Sequence, residues 1–138
     1  MDLNVGLNRV ALEVYEEIES ISPLFATSHG ALIIFDVTNT ESFENVKKRY
    51  EDYQKEENSS GKLKKQIIIV GNKSDDADRK VTFEQAQDLA NQLSSTYIEI
   101  SSKTGKNVAG IFDVPINNLI DQLKTKKKRP LCAKCTIM

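Results

Sequence analysis

Tryptophan is absent from this chain, and cysteine occurs only at Cys132 and Cys135, both within the last seven residues. Two cysteines placed there cannot staple a core, which excludes the disulfide-built scaffolds; they read as modification sites. Long hydrophobic runs are also missing. The longest, Ala31–Val37, is interrupted by Asp36 and is far too short to span a bilayer. No basic segment followed by an apolar stretch opens the chain, so no secretory signal is expected. Charge of one sign is lacking overall: 19 basic and 20 acidic side chains give a net charge of −1. That balance conceals a basic C-terminal tail (Lys124, Lys126, Lys127, Lys128, Arg129, Lys134), and no nucleic-acid partner is expected.

What is present fits one ordinary soluble domain of 138 residues, 39% hydrophobic and 28% charged. Three short apolar runs read as buried strands: Ala31–Thr38, Gln66–Gly71 and Tyr97–Ser101. The first two are continuous and rich in Ile and Val, as in parallel strands covered on both faces. Helical patterns alternate with them. Thr40–Glu57 spaces Phe43, Val46, Tyr50 and Tyr53 by three and four residues, and these aromatics read as packing residues. Phe83–Leu93 starts after Thr82, a good N-cap, with Gln85 completing a capping box. Val108–Leu123 carries one apolar stripe, within which Pro115 predicts a kink or a break. Asn58–Lys65 reads as a polar loop, and the lone His29 as structural.

This alternation predicts an α/β layered fold with a parallel sheet of three strands and flanking helices. Three strands make a thin sheet. The first residues fit the pattern less well: Val10–Ile21 is expected to be an amphipathic helix ending before Pro23, and Asp2–Arg9 is too short for a two-layer unit.

The sharpest chemical feature is Asn72-Lys73-Ser74-Asp75, directly after the strand ending Val70-Gly71. The carboxyl end of a buried parallel strand is where ligands bind in open α/β sheets. A carboxylate at Asp75 can accept two parallel hydrogen bonds from N1–H and the 2-amino group of guanine. Adenine offers no such pair and would leave the carboxylate desolvated, a discrimination of roughly 10⁴-fold. A bare N-K-x-D after a strand is more often only a turn; its weight comes from its neighbours.

Those neighbours carry a resemblance. Glu99-Ile-Ser-Ser-Lys-Thr-Gly-Lys-Asn107, again at a strand end, resembles the E-T-S-A-K-T-G-x-N-V loop of Rab and Ras small GTPases. Upstream, Gly30-Ala-Leu-Ile-Ile-Phe-Asp-Val-Thr-Asn-Thr-Glu-Ser-Phe-Glu-Asn-Val46 resembles the Rab segment G-A-x-x-V-Y-D-V-T-x-x-E-S-F-E-N-V. The similarity runs from about Ser20 to Met138 and leans towards Rab. It implies part of a doubly wound, P-loop NTPase-like fold and a GTP/GDP-binding regulator of vesicular traffic. By the same resemblance, Asn72 would contact guanine N7 and tie the two base loops together. Lys73 and Lys103 would lay their stems over base and ribose. Asp75 would read the Watson–Crick edge, Ser101 would brace it, and the backbone N–H of Ser102 would donate to guanine O6. Ser102 stands where the family usually has Ala. Asp76 stands where it usually has Leu, adding a like charge beside Asp75.

Other family elements are missing from the sequence. The phosphate cradle G-x-x-x-x-G-K-[ST] occurs nowhere, since none of the six glycines pairs as that loop needs. The threonine that binds Mg²⁺ in the family has no counterpart. For the family's D-x-x-G-Q element the candidate is Leu3-Asn-Val-Gly6-Leu-Asn-Arg9, with Leu3 for the Asp and Leu7 for the Gln. Ser20-Ile-Ser-Pro-Leu-Phe25 then resembles S-L-T-P-L-Y. Nucleotide would therefore be held weakly or not at all, at about millimolar affinity. Mg²⁺ would lack its ligands, no catalytic residue can be named, and hydrolysis is expected to be negligible. The family's sheet has six strands, with the phosphate-loop strand beside Ala31–Thr38. Without it that strand is an exposed apolar edge, to be covered by Val10–Ile21 or by a partner.

The chain ends Cys135-Thr-Ile-Met138, a C-a-a-X pattern whose Met favours farnesyl. One lipid binds membranes only marginally. The basic run Lys124–Arg129 would add about 1 kcal/mol per residue near an anionic leaflet, and Cys132 could take a palmitoyl group. The expected organisation is a switch II-like segment over 1–28, the C-terminal part of a small-GTPase domain over 29–123, and a polybasic lipidated tail over 124–138. Location would be the cytoplasmic face of membranes, or the cytosol without the prenyl group, with effector or escort proteins as partners. Two alternatives stay open: a non-enzymatic membrane-bound pseudoGTPase that binds partners without switching, and a fragment of a longer active GTPase.

Overall fold

Ile, Val and Leu in unbroken runs favour extended backbone because their side chains pack well on a pleated surface. In a computed structural model, which describes residues 2–5, 8–16, 28–55, 64–124 and 132–138, these runs become strands β3 (Gly30–Asp36), β4 (Gln66–Asn72) and β5 (Thr96–Glu99), the last a shorter run than the sequence suggested. All three are parallel, with Ile33 in register with Ile69 and Ile69 with Tyr97. The helices between and after them are α1 (Thr40–Lys55), α2 (Phe83–Gln92) and α3 (Gly110–Lys124).

Successive residues of β3 serve opposite faces of the sheet. Leu32 joins Ile68, Val70, Ile116, Leu119 and Ile120 in a core beneath α3. Ile33 and Phe35 join Ile69, Val46, Tyr50, Ala86 and Ala90 in a core beneath α1 and α2. Both faces are thus covered, as continuous apolar strands require. Each fully buried side chain of this kind contributes roughly 1.5–3 kcal/mol.

Helix α2 begins as its sequence indicates. The Gln85 N–H donates to Thr82 Oγ1 at 3.2 Å, and the Thr82 N–H donates to Gln85 Oε1 at 2.9 Å. Helix α3 passes through Pro115 without being divided; Pro115 lies in its first half and is buried. His29 is buried and accepts the Gln66 N–H on its backbone carbonyl at 2.9 Å. Tyr53 is fully buried, with its hydroxyl 2.8 Å from Ser28 Oγ.

The sheet is larger than three strands. Its order is β1-β2-β6-β3-β4-β5, with β1 (Asp2–Val5), β2 (Asn8–Glu16) and β6 (Cys132–Ile137) added. Two sequence expectations are corrected here. Residues 10–16, expected to begin a helix, lie in β2, paired antiparallel with β1 and parallel with β6. The cysteine-bearing end, expected to be a tail outside any core, forms β6, a strand within the sheet. That strand, rather than the 10–21 segment or a partner, lies along the free side of β3. Two barely separated strands pairing with each other, and a tail satisfying an open ladder, outweigh the weak helical period of the first segment. Residues 17–27, which include Ser20–Phe25, lie outside the described residues, as do 6–7, 56–63 and 125–131.

Candidate guanine-recognition site

Asn72 closes β4 at its carboxyl end, and both its side-chain oxygen and its amide are engaged. Its Oδ1 accepts the Lys73 N–H at 2.8 Å and the Ser102 N–H at 3.1 Å, while its amide donates to Ser102 Oγ at 3.1 Å. One side chain therefore spans both loops, as expected of it. The first bond also supports the turn: Lys73 adopts a left-handed φ of 62°, a conformation costing about 1–2 kcal/mol for a residue with a Cβ. Backbone bonds add further ties, from Ser74 N–H to the Ile100 carbonyl at 3.1 Å and from Ile100 N–H to the Gly71 carbonyl at 2.8 Å.

The second loop leaves β5 and is pinned by Ser101, which is fully buried. Ser101 Oγ accepts the Thr104 N–H at 3.1 Å, so its own hydrogen is available to a second partner. Asp75 is the carboxylate whose charged form it favours. The Ser101 hydroxyl holds the Asp75 carboxyl below its ordinary value, helped by the Asp75 backbone N–H; burial opposes them, and the Lys103 charge adds a smaller lowering. Gly105 takes the turn at φ 81°, and Asn107 Nδ2 donates to the Glu99 carbonyl at 2.9 Å. Asp75 is exposed and ionised at neutral pH, with its brace behind it.

Two candidate residues are engaged differently from their expected roles. Lys73 Nζ meets Asp36 Oδ2 at 2.5 Å, across to the end of the adjacent strand. Burial works to raise the Asp36 pKa, but the Lys73 ammonium and the Thr38 hydroxyl and N–H outweigh it and hold it low. The same pair raises Lys73. The Ser102 N–H, assigned to guanine O6, is given to Asn72 Oδ1. Lys103 is exposed and contributes its charge to Asp75. Asp76 is turned to its own loop, accepting the Asp78 N–H at 2.9 Å.

Several supporting residues were not singled out in the sequence. Asp36 was visible only as a charge in an apolar run, which was its signal. Beneath the loops, Arg79 forks onto the Glu99 carboxylate and also donates to the Val81 carbonyl at 2.7 Å. Tyr97 OH donates to Glu99 Oε1 at 2.8 Å, and burial first, then Glu99, pushes its pKa well up. Gly71 is closely packed there. A Cβ on it would stand 2.4 Å from Tyr97 OH.

The residues fit a guanine base: a braced carboxylate, an Asn-linked pair of loops and a strand-end position. They do not fit Mg²⁺ or a phosphate chain. Among the described residues no group of three acidic, His or Cys side chains could hold a metal ion. Beside β3 runs β6, whose sequence Cys-Ala-Lys-Cys-Thr-Ile contains no glycine with which to wrap a phosphate.

Comparison with known proteins agrees with this geometry. A model of the Ras family matches residues 12–121. The chain is 40% identical over 114 residues to Ras-related protein RabC of Dictyostelium discoideum, covering 81% of this chain and 56% of that protein. It is 40% identical over 84 residues to Ras-related protein SEC4 of Candida albicans, 60% of this chain and 38% of that one. To Ras-related protein RABF2b of Arabidopsis thaliana it is 39% identical over 99 residues, 70% and 48% respectively. The chain thus spans about half the length, or less, of these relatives. A match over most of its length, joined to two base-type loops on the expected strand ends, establishes that the chain belongs to the Ras family, as a small GTPase of the Rab/Ras type.

Proposed function

We propose that this chain is a Rab-type, guanine-reading protein of vesicular traffic, anchored to membranes through Cys135, that binds nucleotide weakly and hydrolyses no GTP by itself. The observation carrying the base assignment is the Asn72–Ser102 link, which ties the loop holding Asp75 to the loop holding Ser101. A carboxylate whose charged form is favoured by a neighbouring hydroxyl suits the two adjacent donors of guanine. The weakness follows from the sequence: without an amide cradle and its lysine, the phosphates and their metal contribute little. A base-only site must still overcome several kcal/mol of lost freedom. Anchoring rests on the C-a-a-X ending with its polybasic approach. No helix among the described residues is long and apolar enough to cross a membrane.

The test is titration calorimetry of the full chain with GDP and Mg²⁺ beside guanosine. Comparable, roughly millimolar affinities are expected, near −4 kcal/mol. GDP binding far tighter than guanosine would reveal a phosphate site and a working switch.

The second reading, a pseudoGTPase that acts by docking partners, gains from one observation. Among the described residues, β6 from the chain's C-terminal end lies beside β3 and extends the sheet next to the strands that carry the two loops.

A further inference from the structure

Strand β6 lies inside the sheet, with Cys135 in register with Val14 on one side and Gly30 on the other. Its neighbours continue the ladder: Thr136 is opposite Tyr15 and Ala31, and Ile137 opposite Glu16 and Leu32. Met138 extends it. Its N–H donates to the Leu32 carbonyl at 2.9 Å, and its own carbonyl accepts the Ile34 N–H at 3.0 Å. The last two side chains are spent on the core. Ile137 packs with the cluster beneath α3, and Met138 with the cluster beneath α1 and α2.

The same four residues, Cys135-Thr136-Ile137-Met138, are those a prenyltransferase must read. Such an enzyme takes the end of a chain as an extended peptide, with the terminal side chain in a pocket. A segment whose backbone is bonded to strands on both sides, and whose terminal side chains are packed, cannot enter that cleft. Use as a strand and use as a substrate exclude each other.

We propose that insertion of Cys132–Met138 between β2 and β3 is a lock on lipid attachment: the paired tail withholds Cys135, which is modified only when β6 leaves the sheet. The inference rests on the reading of Cys135 as a prenylation site. In the step itself the Cys135 thiol gives up its proton, and its sulfur forms a bond to C1 of a prenyl diphosphate. The C1–O bond breaks, and diphosphate departs with the electron pair. A lipid held in a bilayer then keeps the tail out of the sheet. The attached form is therefore an opened sheet. Release is favoured at one side of β6, because the C-terminal segment bonds β3 only over Gly30–Ile34 whereas β4 pairs β3 along its whole length.

The test compares rates of prenylation by farnesyltransferase with farnesyl diphosphate for the full chain, its Ala133→Pro variant and a peptide of residues 125–138. Proline removes an N–H from a central strand but leaves the last four residues intact. Hydrogen exchange of the tail amides is followed in parallel. The peptide should be modified readily, the full chain at least about tenfold more slowly, and Ala133→Pro near the peptide rate. Tail amides should exchange slowly in the full chain and quickly in the variant. Modification of the full chain as fast as the peptide would overturn the lock. Fast exchange in the wild-type tail would overturn the insertion, whatever the variant does. A peptide that is never modified, with tail amides still protected, would overturn the prenylation reading and the lock with it, while leaving β6 as a structural strand.

Discussion

The base reading proposed for Asp75 requires an ionised carboxyl, and its surroundings favour that form. The Ser101 hydroxyl is the largest influence, and it lowers the Asp75 pKa from the ordinary value of 3.8. A depressed carboxyl pKa means that guanosine binding persists as pH falls towards that value and is lost only below it. Ser101→Ala removes the main lowering influence, so the loss of binding should move to higher pH; an unchanged pH profile would show that the hydroxyl braces nothing. Asp75→Ala should abolish the preference for guanosine over adenosine, and retention of the preference would remove Asp75 from the site. At Gly71 the constraint is steric. Gly71→Ala should destabilise the chain by about 1–3 kcal/mol in urea unfolding. Tyr97→Phe in the same chain should recover part of that, because the added Cβ lies closest to the Tyr97 hydroxyl.

At the scale of elements, Thr82 shows how local sequence fixes a boundary. Its hydroxyl and the Gln85 amide satisfy each other's backbone donors, so Thr82→Ala should cost about 1 kcal/mol in unfolding free energy. A change below a few tenths would mean that α2 is held by packing alone. Elements of this kind were legible in the sequence because their signals are local: the apolar runs of β3 and β4, the cap of α2, the amphipathic stripe of α3. The motif residues were legible for the same reason, since Asn72–Asp75 and Ser101–Lys103 follow strands directly. What was not legible is non-local. β2 was read as helix because Val10–Tyr15 suits both periods, and only pairing with β1 and β6 decides between them. β6 pairs residue 135 with residue 30, a partnership no local period reveals. The Lys73–Asp36 contact is of the same kind, joining the ends of two strands through charge.

At the scale of the whole molecule, among the described residues, the sheet continues past β3 into β6, a strand from the chain's other end. The family's sequence logic expects a phosphate-loop strand beside β3; here a glycine-free strand stands there. The two loops are held together by the Asn72–Ser102 bonds, and Glu99 is held by Asn107 and by Arg79, which precedes α2. Cellular location belongs to this scale as well. Cys135→Ser should shift the protein from the membrane to the cytosolic fraction, and unchanged fractionation would remove the anchor from the proposal.

The most direct test of guanine reading is an amide-detected NMR titration of the full chain with guanosine and, separately, adenosine. Guanosine should move the amide signals of Asn72, Asp75 and Ser102 progressively, with an apparent Kd of about 1 mM, and adenosine should leave them in place. Equal shifts with both nucleosides, or none with guanosine, would contradict a guanine site in this chain.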